Sequence, residues 1–272
     1  MNQNERLELL KSLRLFDDVH MKDIFKKHKE CVELVVRIVL DNKDLEFVEY
    51  KDQENIPNKN GKSSVLDFVI KDKDGKCYDV EIESAKGKGK TKPEGYQRRA
   101  RYYSSLLDTY YLSQGSDYSK LPDSYVIFFC ERDIIGDGKP LYVINSTIQQ
   151  TGKLFEDGRT MIFVNGEIED DTPLGKLVRD FKLTNPEDMF YDILRRAREE
   201  EMLSFLMTTG RPENELLDKY LQEAEDKGKA EGKAEGIAQE KLAIAKNLLN
   251  NGLDLNIISQ STGIPLEELK KL

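Results

Sequence analysis

The chain has 272 residues, enough for one large domain or for a main domain with an appendage. Its 42 lysines and arginines face 51 aspartates and glutamates, a formal net charge of -9, which excludes a uniformly basic nucleic-acid-binding surface but allows a local basic patch. The 3 cysteines lack CxxC spacing, and the 2 histidines are too few for a three-histidine zinc site. No apolar stretch is long enough to span a membrane. We therefore expect a cytoplasmic protein with core thiols, in which oxygen ligands hold any metal, and this favours Mg²⁺, Mn²⁺ or Ca²⁺.

The apolar spacing predicts alternating helices and strands along most of the chain. Residues 21–41 predict a half-buried helical region, and a short strand, LEFVEY, and a polar loop, DQENIPNKNGKSS, follow. A β-hairpin over 65–83 and a helix over 96–112 precede three strands in SYVIFFCE, PLYVINS and TMIFVNG. Two further helices, TPLGKLVRDF and NPEDMFYDILRRAREEEMLSFLM, each begin with Thr or Asn before proline. This order predicts an α/β fold with a mixed central sheet flanked by helices.

The composition changes after the last of these helices. We predict a main domain over 1–208, a charged helical linker over 209–240 and a small helical segment over 241–272. The linker contains KGKAEGKAEG, whose regularly spaced glycines suit either a close-packing seam or a pliable spacer. The last segment fits the register of a helix-turn-helix, but PLEELKK has no Arg, Asn or Gln to read base edges. Packing or assembly is therefore favoured there over direct reading of DNA.

The turn KDKDGK sets the register of the predicted hairpin. It closes most naturally as a three-residue loop over 73–75, a type I turn in which Gly75 takes the left-handed conformation. Asp72 then lies opposite Lys76.

This register gathers acidic residues on one face of the hairpin. Asp67 pairs with Glu81, and Val65 pairs with Glu83, so the three carboxylates share a face that Asp79 flanks. The other, core-facing side carries the apolar residues Leu66, Phe68, Ile70, Tyr78, Val80 and Ile82.

Carboxylates that face each other about 5 Å apart repel, and burial makes each of them harder to ionise. A divalent cation would remove this cost, since Mg²⁺ takes hard oxygen ligands and completes its shell with water and a phosphate oxygen. The cluster therefore suits phosphodiester hydrolysis. The alternatives are a solvated sheet face with unrelated acids, or a calcium-binding structural loop at DKDG, which lacks the later ligands of an EF-hand.

A basic segment, KGKGKTKPEGYQRRAR, follows the hairpin directly. Flexible, cationic chain beside an acidic metal site suits the binding of a polyanion whose scissile phosphate meets the metal. We predict that its basic residues bind DNA: Lys86, Lys88, Lys90, Lys92, Arg98, Arg99 and Arg101. Taken alone, such a run is also typical of a solvated loop.

The order of these motifs resembles a known family. Asp67, a hairpin, Glu81-Ile82-Glu83 and a basic helix resemble the PD-(D/E)XK nuclease superfamily. The segments LFDDVHMKDIFKKHKE, LDFVIKDKDGKCYDVEIE, RRARYYSSLLD, LPDSYVIFF and FVNG are similar to the Rpn family of recombination-promoting nucleases, whose members are also labelled transposases. The resemblance covers about residues 15 to 205 and implies a restriction-endonuclease-like core with a helical C-terminal appendage.

The resemblance also implies roles for single residues. Asp67 and Glu81 match the metal-binding acids, and Glu33 is a candidate for the acid that the first core helix can add. Glu83 stands where the superfamily has lysine and relatives often have glutamine. An anionic Glu83 cannot stabilise the phosphorane as lysine would, although it could orient or deprotonate water or hold a second metal; Lys86 could supply the missing charge.

These observations predict a Mg²⁺-dependent DNA endonuclease with a part in recombination, transposition or defence. Mn²⁺ or Ca²⁺ could replace Mg²⁺, and a homodimer would serve double-strand cleavage. The alternative is a catalytically impaired nuclease fold that binds DNA or protein.

Overall fold

The structure, a computed structural model, describes residues 3–56, 64–84 and 93–208. The chain divides into two compact units, Met1–Gly210 and Arg211–Leu272, and every described residue lies in the first. The predicted linker over 209–240, the segment over 241–272 and the lysines from Lys86 to Lys92 lie outside the described residues.

The described residues form six α-helices, two short 3₁₀ helices and six strands. The helices are α1 (Gln3–Ser12), α2 (Asp18–Lys27), α3 (Lys29–Val39), α4 (Pro93–Tyr111), α5 (Pro173–Lys182) and α6 (Asp192–Thr208). The strands are β1 (Phe47–Ile56), β2 (Ser64–Asp72), β3 (Cys77–Glu83), β4 (Ser124–Cys130), β5 (Leu141–Asn145) and β6 (Arg159–Asn165).

All six strands form one sheet in the order β1-β2-β3-β4-β6-β5. The pairs β3–β4 and β4–β6 are parallel, and the other three pairs are antiparallel. Helix α4 connects β3 to its parallel neighbour β4, since parallel strands need a crossover connection. The carboxyl ends of β3, β4 and β6 therefore meet at one edge of the sheet. This confirms the predicted α/β fold with a mixed central sheet.

One face of the sheet packs against α2, α3, α5 and α6. Aromatic rings contact each other in this core: the centroid of Phe181, on α5, lies 4.5 Å from that of Phe129, on β4. Helix α5 begins as predicted, because the side chain of Thr172 accepts the backbone N–H of Gly175 and Pro173 follows as the first helical residue.

The other face of the sheet packs against α4. Ala100, Tyr103 and Leu107 of this helix share a buried cluster with Val126 and Phe128 of β4. Both faces of the sheet are therefore covered. The alternative of a solvated, acidic sheet face is therefore excluded, because α4 lies over the face that carries Val69 and Val126.

The predicted elements differ from the structure at several places. The helical region over 21–41 divides at His28, whose φ of -124° and ψ of 75° are not helical. Strand β1 continues to Ile56, through residues predicted to be loop, because it pairs with β2 as far as Ser64. Asn185 caps a single 3₁₀ turn, Pro186–Asp188, and α6 begins only at Asp192.

Candidate active site

The hairpin of β2 and β3 has the predicted register. Gly75 has a φ of 88° and donates its N–H to the carbonyl of Asp72 at 3.1 Å. The carboxylate of Asp72 also fixes the turn, since it accepts the N–H of Lys76 at 2.8 Å and the hydroxyl of Tyr78 at 2.7 Å. Paired residues run from Lys71 opposite Cys77 to Phe68 opposite Val80.

The backbone pairing of β2 and β3 ends at Phe68, opposite Val80. Next to it, the N–H of Asp67 donates to Oε1 of Glu81 at 2.9 Å, so the Glu81 side chain contacts the backbone of β2. The predicted neighbourhood of Asp67 and Glu81 is thus present. The predicted position of Leu66 is wrong. Leu66 packs in the cluster beneath α4, whereas Phe68 packs in the core on the other face of the sheet. The regular pairing of β2 with β3, on which the predicted alternation was based, ends at Phe68.

The acidic cluster is buried. Asp79 and Glu81 are both 0% exposed and Asp67 is 7% exposed, which excludes the solvated sheet face considered above. Burial, followed by the charges of Asp67 and Asp79, raises the pKa of Glu81 well above its usual range. Burial and Asp67 likewise raise the pKa of Asp79, and both of its carboxylate oxygens lack a hydrogen-bond partner among the described residues.

Two cations approach the cluster from helices in different parts of the fold. Nζ of Lys22, on α2, lies 2.8 Å from Oδ1 of Asp67. Arg99, on α4, donates one amino group to Oε2 of Glu81 and the other to Oε1 of Glu83. Burial alone would lower the pKa of Arg99, but the charges of Glu81 and Glu83 raise it overall. Both cations therefore offset part of the cost of burying carboxylates.

A second ionic network borders the site at the ends of β3 and β4. Arg14 lies 2.6 Å from Oε1 of Glu131, and Ser84 donates its hydroxyl to Oε2 of the same residue at 3.2 Å. The N–H of Glu131 continues the ladder to the carbonyl of Glu83 at 2.9 Å. The network holds the carboxyl end of β3 against β4.

The other predicted site residues have different surroundings. Glu33 accepts from Arg37 one turn later on α3 at 3.2 Å, and Arg37 lies over the ring of Phe47, which pairs with Asp72 beside the hairpin turn. The role of Glu33 as a metal ligand stays a prediction. Arg98 and Arg101 are exposed on α4, as a role in binding DNA requires, whereas Arg99 is directed into the acidic cluster.

The sequence analysis predicted neither the ion pair of Lys22 with Asp67 nor the contact between Arg99 and Tyr103. Lys22 lies 45 positions before Asp67, on a helix whose neighbours in space only the tertiary fold determines. Arg99 and Tyr103 carried a usable signal, because residues four apart share a helix face, and the hydroxyl of Tyr103 accepts from Nε of Arg99 at 2.9 Å.

The donor set suits a hard divalent cation. Asp67 and Glu81 offer carboxylate oxygens, and Mg²⁺ is usually bound by one or two carboxylates, with water and phosphate completing its shell. In the described ranges no three acidic, histidine or cysteine side chains are grouped to hold a metal ion, so the fit rests on this pair. A bound cation would also lessen the repulsion of Asp67 that contributes to the raised pKa of Asp79 and Glu81.

A mixed sheet flanked by helices, with adjacent acids at the carboxyl end of β3, defines a nuclease-like α/β domain. Residues 16–172 match the family described as PD-(D/E)XK nuclease family transposase, and residues 238–272 match the Rpn/YhgA-like nuclease family, C-terminal HTH domain. The first match covers more than half of the chain, which therefore belongs to the PD-(D/E)XK nuclease family of transposases, as its motifs predicted. No curated protein and no solved structure gives a match.

Within the described residues no helix is long and apolar enough to cross a membrane.

Proposed function

We propose that this chain is a Mg²⁺-dependent endonuclease that hydrolyses phosphodiester bonds in DNA, with a part in recombination, transposition or defence. The observation that carries the proposal is the hydrogen bond from the N–H of Asp67 to Glu81, which joins the two motif acids where β2 and β3 separate. Family membership supports it, because PD-(D/E)XK nucleases generally use divalent metals.

Asp67 and Glu81 would hold the metal, which when bound lowers the pKa of water and offsets the charge of the phosphate. Lys22 and Arg99 already contact these two carboxylates, so binding the metal would require both ion pairs to loosen. The released ammonium and guanidinium groups would then lie beside the phosphate. Arg14 and Glu131 would fix the end of β3 so that Glu81 keeps its place.

Contacts to the DNA backbone would come from the basic segment. Arg98 and Arg101 are exposed on α4, and Lys86, Lys88, Lys90 and Lys92 directly precede the helix. Such phosphate contacts supply affinity and register without sequence preference. The match to a C-terminal HTH domain supports a second contact with DNA or with another subunit. We also propose a homodimer, since two sites would cut both strands, and light scattering of the full chain would measure its mass.

The test is cleavage of supercoiled plasmid by the purified full chain with Mg²⁺, Mn²⁺ or Ca²⁺. Wild type is expected to nick or cut, and Asp67→Ala is expected to abolish cutting while most DNA binding remains. Asp74→Ala is the matched control, because Asp74 is an exposed acid in the turn of the same hairpin. Equal cutting by Asp67→Ala would reject the site, and a loss with Asp74→Ala would indicate damage to the hairpin rather than to chemistry.

One observation favours a second function, a catalytically impaired module that binds DNA or protein. Glu83 stands where the family that the sequence resembles has lysine or glutamine. It shares Arg99 with Glu81, and these ion pairs would compete with a metal for the Glu81 carboxylate. DNA binding without cutting, with each of the three metals tested, would support this alternative over the endonuclease.

A further inference from the structure

Arg99 has a hydrogen-bond acceptor for each of its nitrogen groups. Nε donates to the hydroxyl of Tyr103, and the two amino groups donate to Glu81 and Glu83. Its guanidinium carbon lies 5.0 Å from the ring centroid of Tyr103 and 5.2 Å from that of Phe128. Its side chain is nevertheless 26% exposed. The group is thus held in one orientation, with part of its surface open to solvent.

Both oxygens of Glu83 are also engaged. Oε1 accepts from Arg99, and Oε2 accepts from the hydroxyl of Tyr96 at 3.3 Å. The two partners of Glu83 are thus a cation and a tyrosine, whereas Glu81 is joined directly to the backbone of Asp67, the other acid proposed to hold the metal. A glutamine at position 83 could still accept from Arg99 through its amide oxygen, whereas a lysine would bring its own ammonium to the place of the guanidinium.

We propose that Arg99 supplies the positive charge that acts on the scissile phosphate, and that Glu83 is a positioning residue which holds Arg99 beside Glu81. The positive charge that the superfamily's lysine supplies from the position of Glu83, on β3, would then come from Arg99, on α4, and Glu83 would carry the opposite charge. This inference rests on the proposed endonuclease function. It assigns Arg99 the role that sequence reasoning considered for Lys86, and it removes Glu83 from the metal ligands and from the candidate bases.

The contacts at position 99 explain why an arginine fits there better than a lysine. Its fork reaches two carboxylates at once, which the single ammonium of a lysine on α4 cannot do in the same geometry. If Glu81 were to hold a metal, the amino group of Arg99 that faces Glu81 would be free, while Glu83 and Tyr103 would still fix the other two nitrogen groups. The freed N–H groups would donate to a non-bridging phosphate oxygen without a change in the position of the helix.

The experiment compares single and exchanged charges in the full chain. Arg99→Gln is expected to slow cleavage roughly 10²–10³-fold, the usual cost of losing one donor to a developing negative charge. Glu83→Gln is expected to stay within about tenfold of wild type, and Glu83→Ala to fall well below it, since only the amide still holds Arg99. Combining Glu83→Lys with Arg99→Gln is expected to recover at least about tenfold over Arg99→Gln alone. Arg196→Gln, an exposed arginine on α6, is the matched control.

A second readout, Mn²⁺ binding by calorimetry, does not depend on cleavage. Glu83→Gln should leave the Mn²⁺ affinity within about threefold of wild type, whereas Glu81→Gln should weaken it by an order of magnitude or more. Loss of Mn²⁺ binding in Glu83→Gln would make Glu83 a ligand and overturn its positioning role. If the doubly exchanged variant cuts no faster than Arg99→Gln, the catalytic role of Arg99 is wrong.

Folding and function can be told apart. Melting curves show whether Arg99→Gln is folded. If it is not, the cleavage rates of Glu83→Ala and Glu83→Gln can still be compared, because only the glutamine can hold Arg99 in place. Absence of cutting by wild type with any divalent metal would refute the endonuclease proposal and the catalytic role of Arg99 together. Unchanged Mn²⁺ binding by Glu83→Gln would even then support the positioning role of Glu83.

Discussion

The carboxylate of Asp72 stabilises the turn of the hairpin that carries the candidate site. Asp72 is 1% exposed, and its two carboxylate oxygens accept from the N–H of Lys76 and from the hydroxyl of Tyr78. Replacing it by alanine leaves the buried Tyr78 hydroxyl without its acceptor, which costs about 2 kcal/mol, and removes the Lys76 bond, which costs about 1 kcal/mol because water can reach this half-exposed residue. We expect Asp72→Ala to lower the free energy of unfolding by about 3 kcal/mol.

The assay is urea unfolding followed by far-ultraviolet circular dichroism, because the chain contains 0 tryptophans. Tyr78→Phe should cost about 1–2 kcal/mol, and the double variant should cost less than the sum of the two single ones because both lose the same bond. Asp74→Ala, in the exposed part of the turn, is the control and should change stability by less than about 0.5 kcal/mol. An equal loss in Asp74→Ala and Asp72→Ala would refute the reasoning, since general turn disruption would then explain both.

Two further predictions concern a buried histidine and a close backbone approach. Burial, followed by the charges of Arg198 and Lys27, lowers the pKa of His20 well below its usual 6.5, so the unfolded chain binds the extra proton first and stability should fall as pH drops below about 6.5. His20→Phe should flatten this dependence in melting curves between pH 4 and 8, and an unchanged slope would contradict it. Gly166→Ala should cost about 2–3 kcal/mol in urea unfolding, because an added Cβ would lie 2.4 Å from the carbonyl oxygen of Cys130; a loss below about 1 kcal/mol would show that the two strand ends separate easily.

The sequence predicted the hairpin well because its determinants are local. A glycine in the left-handed conformation and a fixed loop length determine which residues face each other, and the alternation of side chains then brings Asp67 next to Glu81. The start of α5 followed from the same kind of local signal, a capping threonine before proline. Such rules act over a few residues and do not require knowledge of the tertiary fold.

The surroundings of the carboxylates could not be predicted in this way. The periodicity of the sequence indicated that Arg99 lies on a helix with an aromatic, buried face. It did not show whether Arg99 faces solvent or Glu81, because the packing of this helix on β4 decides that. Lys22 belongs to a helix on the other core, so its ion pair with Asp67 is a property of the assembled domain. The break at His28 likewise separates two helices, although the apolar pattern continues across it.

The site therefore depends on parts of the chain beyond the motif acids. Repulsion within the buried cluster is offset by Lys22 from α2 and by Arg99 from α4, so both helices must dock before the carboxylates can ionise at low cost. Docking of α2 in turn depends on α5, because Phe25 contacts Phe181, and α5 begins one residue after the family match ends at residue 172. The compact unit that supports the site extends to Gly210, and so the acids of the motif are held by a larger core than the matched segment alone can form.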